Sequence, residues 1–261
     1  MSKTVELFGY PVLAARMSDV VELCAASIGA GRPIQFGVLN AAKIVRAVDD
    51  AQLGEAIRSC DVLLADGQSV VWASRLLGQP LPERVTGIDL FLQLLDLANR
   101  EHRSVYLLGA THDVITRVAR IVEQQYPDLV LAGYRDGYFA DAEADDIALE
   151  IQRVRPDMLF LGMTSPKKEI FLRRYHRVIR VPISHGVGGS FDILAGVTKR
   201  APILWQRLGF EWAFRLLQEP GRMWRRYLVT NSAFIGMFLR EYVRSKQRHI
   251  PRRVALAGGA S

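Results

Sequence analysis

Asp66 stands where an apolar run stops. In "LLADGQSVVW", Leu63 to Trp72, residues suited to the interior lead into a carboxylate, then Gly67, then a helix-like run. Two roles are open for this side chain. Asp before Gly is a common turn, and Asp is a good N-cap for the helix that follows. A carboxylate at the rim of a buried strand is also placed to take a proton from a hydroxyl as a general base.

Other candidates fall at comparable points. "LLGATHDV" runs from a strand through Gly109 into a helix start. Such a turn can hold phosphate through backbone N–H groups and the helix dipole, although the full GxGxxG fingerprint and the Walker lysine are missing. "GVGGSFD" is a denser glycine cluster, in which Gly188 and Gly189 permit close approach of a ligand to the backbone. Asp192 in the same stretch suits ribose hydroxyls or a helix cap equally. "TSPKKE", from Thr164 through Lys168 to Glu169, reads as a helix start with Ser165 as N-cap and Pro166 at N1. Toward the C-terminus, Arg215, Arg222 and Arg225 are spaced to share nearly one helical face, unless Pro220-Gly221 interrupts it. Three guanidinium groups can hold a diphosphate, and a solvated basic face is the plain alternative.

The elements that must position these residues alternate. Apolar runs at 33–40, 61–66, 104–110, 129–137, 157–163 and 180–186 are separated by amphipathic segments. Continuous apolar strands with helices between them predict a parallel sheet covered on both faces, an α/β Rossmann-like, doubly wound architecture. In such sheets ligands bind at the carboxyl ends of the strands. Asn40, Asp66, Gly109, Tyr138, Thr164 and the Gly186–Gly189 run all occupy those ends, so one rim gathers them.

Near residue 200 the texture changes. The sequence beyond is helical, holds three of the four tryptophans and has no strand pattern. Residues 1–200 are expected to form the catalytic domain and 201–261 a basic helical appendage facing the membrane and the active site. From Lys199 to Arg253 there are 13 Lys and Arg against three acids, within a chain of net charge +7. The body is therefore mildly acidic and the tail strongly basic, which suits an anionic surface. "AFIGMFLREYVRSKQR" mixes large apolar and basic residues as an interfacial helix does. Each Lys or Arg near such a surface adds about 1 kcal/mol. No apolar run reaches the roughly 18 residues of a spanning helix. Cys24 and Cys60 show neither metal spacing nor a disulfide framework, as expected in a reducing cytosol.

Four blocks, "LLADGQSVVWASRLLGQPLPERVTGIDL", "LGMTSPKKE", "GVGGSFDILAGVTKRAP" and "LGFEWAFRLLQEPGRMWRRYL", resemble the WecG/TagA/CpsF family of bacterial glycosyltransferases, in the family's order. The resemblance runs from about Gln35 to Leu228. It implies inverting transfer of a sugar from a UDP-sugar to a polyprenyl-diphosphate-linked sugar, for cell-surface polysaccharide or teichoic acid. No metal or other cofactor is implied, and the enzyme would lie peripherally on the inner face of the plasma membrane. Asp66 matches the family's catalytic base, Asn40 a rim residue and Arg84 an active-site arginine. Arg215, Arg222 and Arg225 match arginines that close over the diphosphate. Tyr138 and Asp192 match positions near the nucleoside, with Gly109, Gly188 and Gly189 at the nucleotide turns. At the sugar rim, Val38 stands where the family often has Thr, Thr164 where it has Gly and Lys168 where it has Gln. These departures open the donor to a hexose or uronic acid beside N-acetylmannosamine.

A different class stays in view: a non-catalytic nucleotide-sugar or nucleic-acid binding protein with a basic tail. RNA binding would need exposed stacking aromatics, whereas the tail's aromatics alternate with apolar residues, so no nucleic acid partner is expected. A dehydrogenase lacks its cofactor fingerprint. Homo-oligomerisation is left open.

Overall fold

The computed structural model describes residues 3–207, 209–218 and 220–248; within the helices, the side chains of Arg207, Arg215, Arg222, Met223, Arg226 and Arg248 lie outside the described set. The strands are β1 (Thr4–Leu7), β2 (Tyr10–Leu13), β3 (Ile34–Leu39), β4 (Val62–Ala65), β5 (Ser104–Gly109), β6 (Val130–Arg135), β7 (Met158–Gly162) and β8 (Ile183–Gly186). The helices are α1 (Met17–Ala30), α2 (Ala41–Asp49), α3 (Ala51–Arg58), α4 (Gln68–Leu76), α5 (Gly87–Arg100), α6 (His112–Gln125), α7 (Ala144–Val154), α8 (Lys167–Ile179) and α9 (Ser190–Leu194). Three more follow: α10 (Ile203–Arg207), α11 (Glu211–Gln218) and α12 (Pro220–Arg248).

The sheet order is β1-β2-β4-β3-β8-β7-β5-β6. All pairs are parallel except the β1–β2 hairpin at one edge. Side chains alternate across the sheet with period two. Phe36, Val38, Val105, Leu107, Met158 and Phe160 face a core shared with α1, α5, α6 and α9. Between them Tyr106, Leu108, Leu159 and Leu161 face α7 and α8, while Leu39 and Ala65 face α2, α3, α4 and α12. Burying each such Leu or Phe contributes about 1.5–3 kcal/mol, which is why the strands read as unbroken apolar runs.

This arrangement confirms the doubly wound α/β expectation. The helix after β3 packs on one face of the sheet and the helix after neighbouring β8 on the other. The order reverses there, so a crevice opens above β3 and β8. A second reversal separates β5 from β7.

Two features differ from the sequence expectation. The β1–β2 hairpin, closed by Phe8 and Gly9 at positive φ, was not expected. And α8 starts at Lys167 behind Pro166, without a side-chain cap. Ser165 therefore sits too early to cap it, joined to Pro166 by a cis bond.

Beyond residue 200, α11 packs on α10 and α12, and α12 runs back along α2. α11 ends at Gln218 and Pro220 begins α12, so the helix is interrupted at this point, with Arg215 on α11 and Arg222 and Arg225 on α12. Phe234 of α12 is buried in the same cluster as Val5, Leu7 and Tyr10, with its ring 5.1 Å from that of Phe8.

Candidate active site

Two strand ends set the centre. After β3, Asn40 caps α2, its Oδ1 accepting the Lys43 N–H at 3.0 Å. After β4, the Asp66 N–H donates to the Leu39 carbonyl at 2.9 Å, which locks the two ends side by side. Gly67 fits tightly here, since a Cβ on it would lie 3.1 Å from Asn40 Cβ. Gly67, not Asp66, occupies the N-cap of α4, and no side chain caps that helix. The Asp66 carboxylate instead turns to α5, where Oδ1 accepts the Gly87 N–H at 3.1 Å.

The loop that brings α5 there is anchored. The Leu81 N–H donates to Ser74 Oγ at 3.1 Å, and the Val85 N–H to the Ala65 carbonyl at 3.0 Å. Arg84 and Thr86 are thereby held over the end of β4. Thr86 caps α5 by accepting the Asp89 N–H at 3.1 Å. From below, His185 Nε2 lies 3.0 Å from the Gly87 carbonyl. A carbonyl only accepts, so Nε2 carries the proton and donates. Burial pushes the His185 pKa down to about 4, so the ring stays neutral in its role as donor.

Under the crevice lie three charges. Glu169 Oε1 is 2.9 Å from Lys43 Nζ and 3.0 Å from Lys168 Nζ. Lys43 Nζ also donates to the Val38 carbonyl at 2.9 Å. Burial alone would raise the Glu169 carboxyl, but the two ammonium groups outweigh it and hold it down at about 2. Burial, helped by neighbouring Lys43, lowers Lys168 to about 8. One carboxylate shared by two ammoniums leaves a surplus positive charge at the cavity floor. Gly186 makes room for it, since a Cβ there would meet Lys168 Cδ at 2.9 Å.

A roof comes from beyond residue 200. Arg84 Nη1 lies 2.7 Å from Glu211 Oε2 at the start of α11. Arg200 Nη2 is 2.6 Å from Asp89 Oδ1, and Thr86 Oγ1 donates to the other oxygen of that carboxylate at 2.5 Å. Gly209 sits tightly on α4, where a Cβ would come 2.5 Å from Gln68 Cγ. Together they enclose a cavity of about 620 Å³. Asp66, Arg84 and Lys168 give it a polar end, and Trp72, Leu76, Ile235 and Phe238 an apolar edge.

Six of the residues singled out in the sequence line this cavity: Asn40, Asp66, Arg84, Lys168, Gly188 and Gly189. Of the other proposed site residues, Thr164, Gly109, Tyr138, Asp192 and Arg225 are not among its described lining. Thr164 is exposed after β7. Gly109 crosses the backbone of Gly162 so closely that a Cβ would meet the Gly162 carbonyl carbon at 2.5 Å. Tyr138 is 79% exposed, on a loop tied down by Lys167 Nζ, which donates to the Gly137 and Phe139 carbonyls at 2.9 and 3.1 Å. Asp192 lies within α9 near Gly189, and burial raises its pKa. Arg225 is exposed, its guanidinium carbon 5.4 Å from the ring centre of Trp224. The side chains of Arg215 and Arg222 lie outside the described residues.

Four contributors escaped the sequence reading. Thr86-Gly87 was visible as a cap before an amphipathic run. Lys43 is one turn past Asn40. Glu211 is one of few acids in a basic tail. His185, alone on an apolar strand, carried no signal.

All but the first two described residues fall within one match. Residues 5–248 fit the model of the glycosyl transferase WecG/TagA/CpsF family. The chain belongs to this glycosyltransferase family. It is 38% identical over 182 residues, 70% of each chain, to an N-acetylglucosaminyldiphosphoundecaprenol N-acetyl-beta-D-mannosaminyltransferase of Bacillus spizizenii. The protein of the same name from Bacillus subtilis (strain 168) is equally similar. A Staphylococcus aureus (strain MW2) protein, also so named, is 34% identical over 194 residues, 74% of this chain and 73% of its own. As a WecG/TagA/CpsF family glycosyltransferase, the chain is an enzyme, and the non-catalytic binding module is set aside.

Proposed function

We propose that this enzyme transfers a sugar from a UDP-sugar to a polyprenyl-diphosphate-linked sugar, inverting the anomeric centre, with Asp66 as general base. The observation that carries the reading is the cavity itself. A carboxylate and an arginine face one space at a strand-order reversal, and one edge of that space is apolar. The relatives' names supply the acceptor class, an N-acetylglucosaminyl diphosphoundecaprenol.

In the reaction, the acceptor hydroxyl oxygen attacks the anomeric carbon while its proton passes to Asp66. The bond from that carbon to the UDP oxygen breaks, and the departing diphosphate takes the electron pair. Arg84 and the backbone N–H of Gly189 neutralise that charge. The nucleoside lies toward Gly109, Tyr138 and Asp192. Neighbouring strands are about 4.8 Å apart, so an extended nucleotide-sugar laid along the rim spans β5 to β3. Lys168 contacts the donor sugar. Arg215, Arg222 and Arg225 close over the diphosphate, and the roof excludes water that would hydrolyse the donor.

Residues 1–200 serve as the catalytic body and those beyond as the membrane-facing appendage. No helix among the described residues is long and apolar enough to cross a membrane. On α12, Trp224, Leu228, Ile235, Leu239 and Val243 are all exposed, and their spacing puts them on one side. Arg225, Arg240, Arg244 and Lys246 accompany them. That stripe seats on anionic lipid at the inner face of the plasma membrane, with the cavity's apolar edge toward the acceptor's lipid.

The test is a panel of UDP-N-acetylmannosamine, its uronic acid and UDP-glucose with a short-chain lipid-diphosphate N-acetylglucosamine. Acceptor-dependent UDP release with one donor is expected. Absence of release with every UDP-sugar, against release from another nucleotide-sugar, overturns the UDP assignment.

A further inference from the structure

The two ends of the cavity differ in character, and α4 and α12 form the apolar one. We propose that this end is a groove for the first isoprene units of the acceptor, held between Trp72 and Leu76 of α4 on one side and Ile235 and Phe238 of α12 on the other. The inference rests on the proposed acceptor and adds where its hydrocarbon lies.

Three observations carry it. The first is the build of the groove. Its floor is Ala73 and Phe234, which line the cavity and belong to the core cluster beneath it. Its walls are uncovered: Trp72 is 45% exposed, Leu76 62% and Ile235 57%. Trp72 and Leu76 are one turn apart, so they share a face of α4. The roof braces the indole, since a Cβ at Gly209 would lie 3.5 Å from Trp72 Cη2. Among the described residues, no charged side chain of α4 or α12 lines the cavity. Large apolar walls over an apolar floor gain by taking hydrocarbon out of water.

The second is a gradient along both helices. α4 begins beside Asp66, and its lining side chains run outward from Gln68 and Ser69 to Trp72 and Leu76. On α12, the Tyr227 ring packs on that of Trp212, with centres 5.7 Å apart, next to Glu211 on Arg84. Ile235 and Phe238 lie about two and three turns further along. Each helix therefore leads from the polar centre to hydrocarbon. Sugar, diphosphate and prenyl chain follow one another in the same order in the acceptor class that the relatives' names print.

The third is the direction in which the groove opens. Ile235 belongs to its wall and also to the exposed stripe with Leu228 and Leu239. Around the helix, Phe238 lies about 60° to one side of Ile235 and Leu239 about 40° to the other. The groove thus opens onto the side of α12 proposed to seat on lipid. A chain anchored in the bilayer enters it without crossing water.

The test reads binding, not transfer. N-acetylglucosaminyl diphosphate carrying either a methyl or a two-isoprene citronellyl ester is titrated calorimetrically into enzyme saturated with UDP, without vesicles or detergent. Wild type is expected to bind the citronellyl ester about tenfold tighter than the methyl ester, or more. In W72A and in L76S that ratio is expected to fall to about threefold or less. Leu76 is 62% exposed, so L76S keeps the fold even where W72A does not. In L228D/L239D, which alters the outer stripe, the ratio is expected to stay as in wild type. Equal binding of the two esters by wild type, a ratio that persists in L76S, or one lost in L228D/L239D each overturns the groove while leaving the acceptor reading intact. Binding of neither ester overturns both.

Discussion

Asp66 Oδ1 accepts the Gly87 N–H at 3.1 Å, so the proposed base is oriented by the first turn of α5 rather than by the helix that follows it in sequence. Asn at position 66 retains an oxygen for that bond but cannot take a proton. D66N is expected to fold, to bind UDP as wild type does, and to lose transfer by about a hundredfold or more. UDP release and UDP calorimetry on the same preparation check this. Near-normal turnover would remove Asp66 from the role.

His185 sets a pH dependence of stability. Its folded value near 4 lies below its ordinary 6.5. Between those values the unfolded chain binds a proton that the folded chain does not, so stability is full above about pH 6.5 and falls as pH drops toward 4. The shift corresponds to something on the order of 3 kcal/mol. Urea unfolding across that window should show a shallower slope in H185Q, which keeps an N–H donor for Gly87. The slope, not the absolute stability, is the readout, and identical slopes would count against His185.

Lys168 sets a limb on the alkaline side. Lowered to about 8, its ammonium discharges as pH rises through that value. Apparent affinity for the donor is expected to weaken there. K168R, whose guanidinium remains charged, should move the limb to higher pH. A limb unmoved in K168R assigns it to another group.

The α12 stripe predicts how the enzyme meets lipid. L228D/L239D places two carboxylates among exposed apolar residues. Co-sedimentation with anionic vesicles should fall strongly while thermal stability stays within about 0.5 kcal/mol, as for other surface changes. Unchanged vesicle binding would sink the assignment.

Truncation near residue 200 would be a poorer probe, because α12 contributes to the core. Phe234 is 7% exposed and packs on Phe8. F234A is expected to cost about 3 kcal/mol in urea unfolding. A loss below about 1 kcal/mol would show that the appendage and the hairpin are independent.

The sheet was legible because its central strands are covered on both faces and must be apolar throughout, as Tyr106–Leu108 and Leu159–Leu161 are. The hairpin was not, because "VELFGYPVL" is short and one face of it is exposed. Nor were α2 and α3 seen as two helices. Asp50 ends the first and caps the second, its Oδ1 accepting the Leu53 N–H at 3.0 Å, and the periodicity breaks there. At the site, Asn40, Asp66 and the Gly188–Gly189 turn were readable, since strand-end position and residue type suffice to place them. Partners were not. Arg84 and Glu211 are 127 residues apart, and no local pattern announces such a pairing.

Phe8 and Phe234 come from opposite ends of the described chain and meet in one cluster with the edge strands. During synthesis the hairpin emerges early and is covered only in part, by α2, α3 and α4, until α12 has left the ribosome. The patch around Phe8 that Phe234 covers is until then a surface for chaperones, or for another nascent copy. The helix that completes this core is also the one proposed to seat on lipid. An unfinished chain therefore lacks both its last core residues and the helix proposed to carry its membrane address.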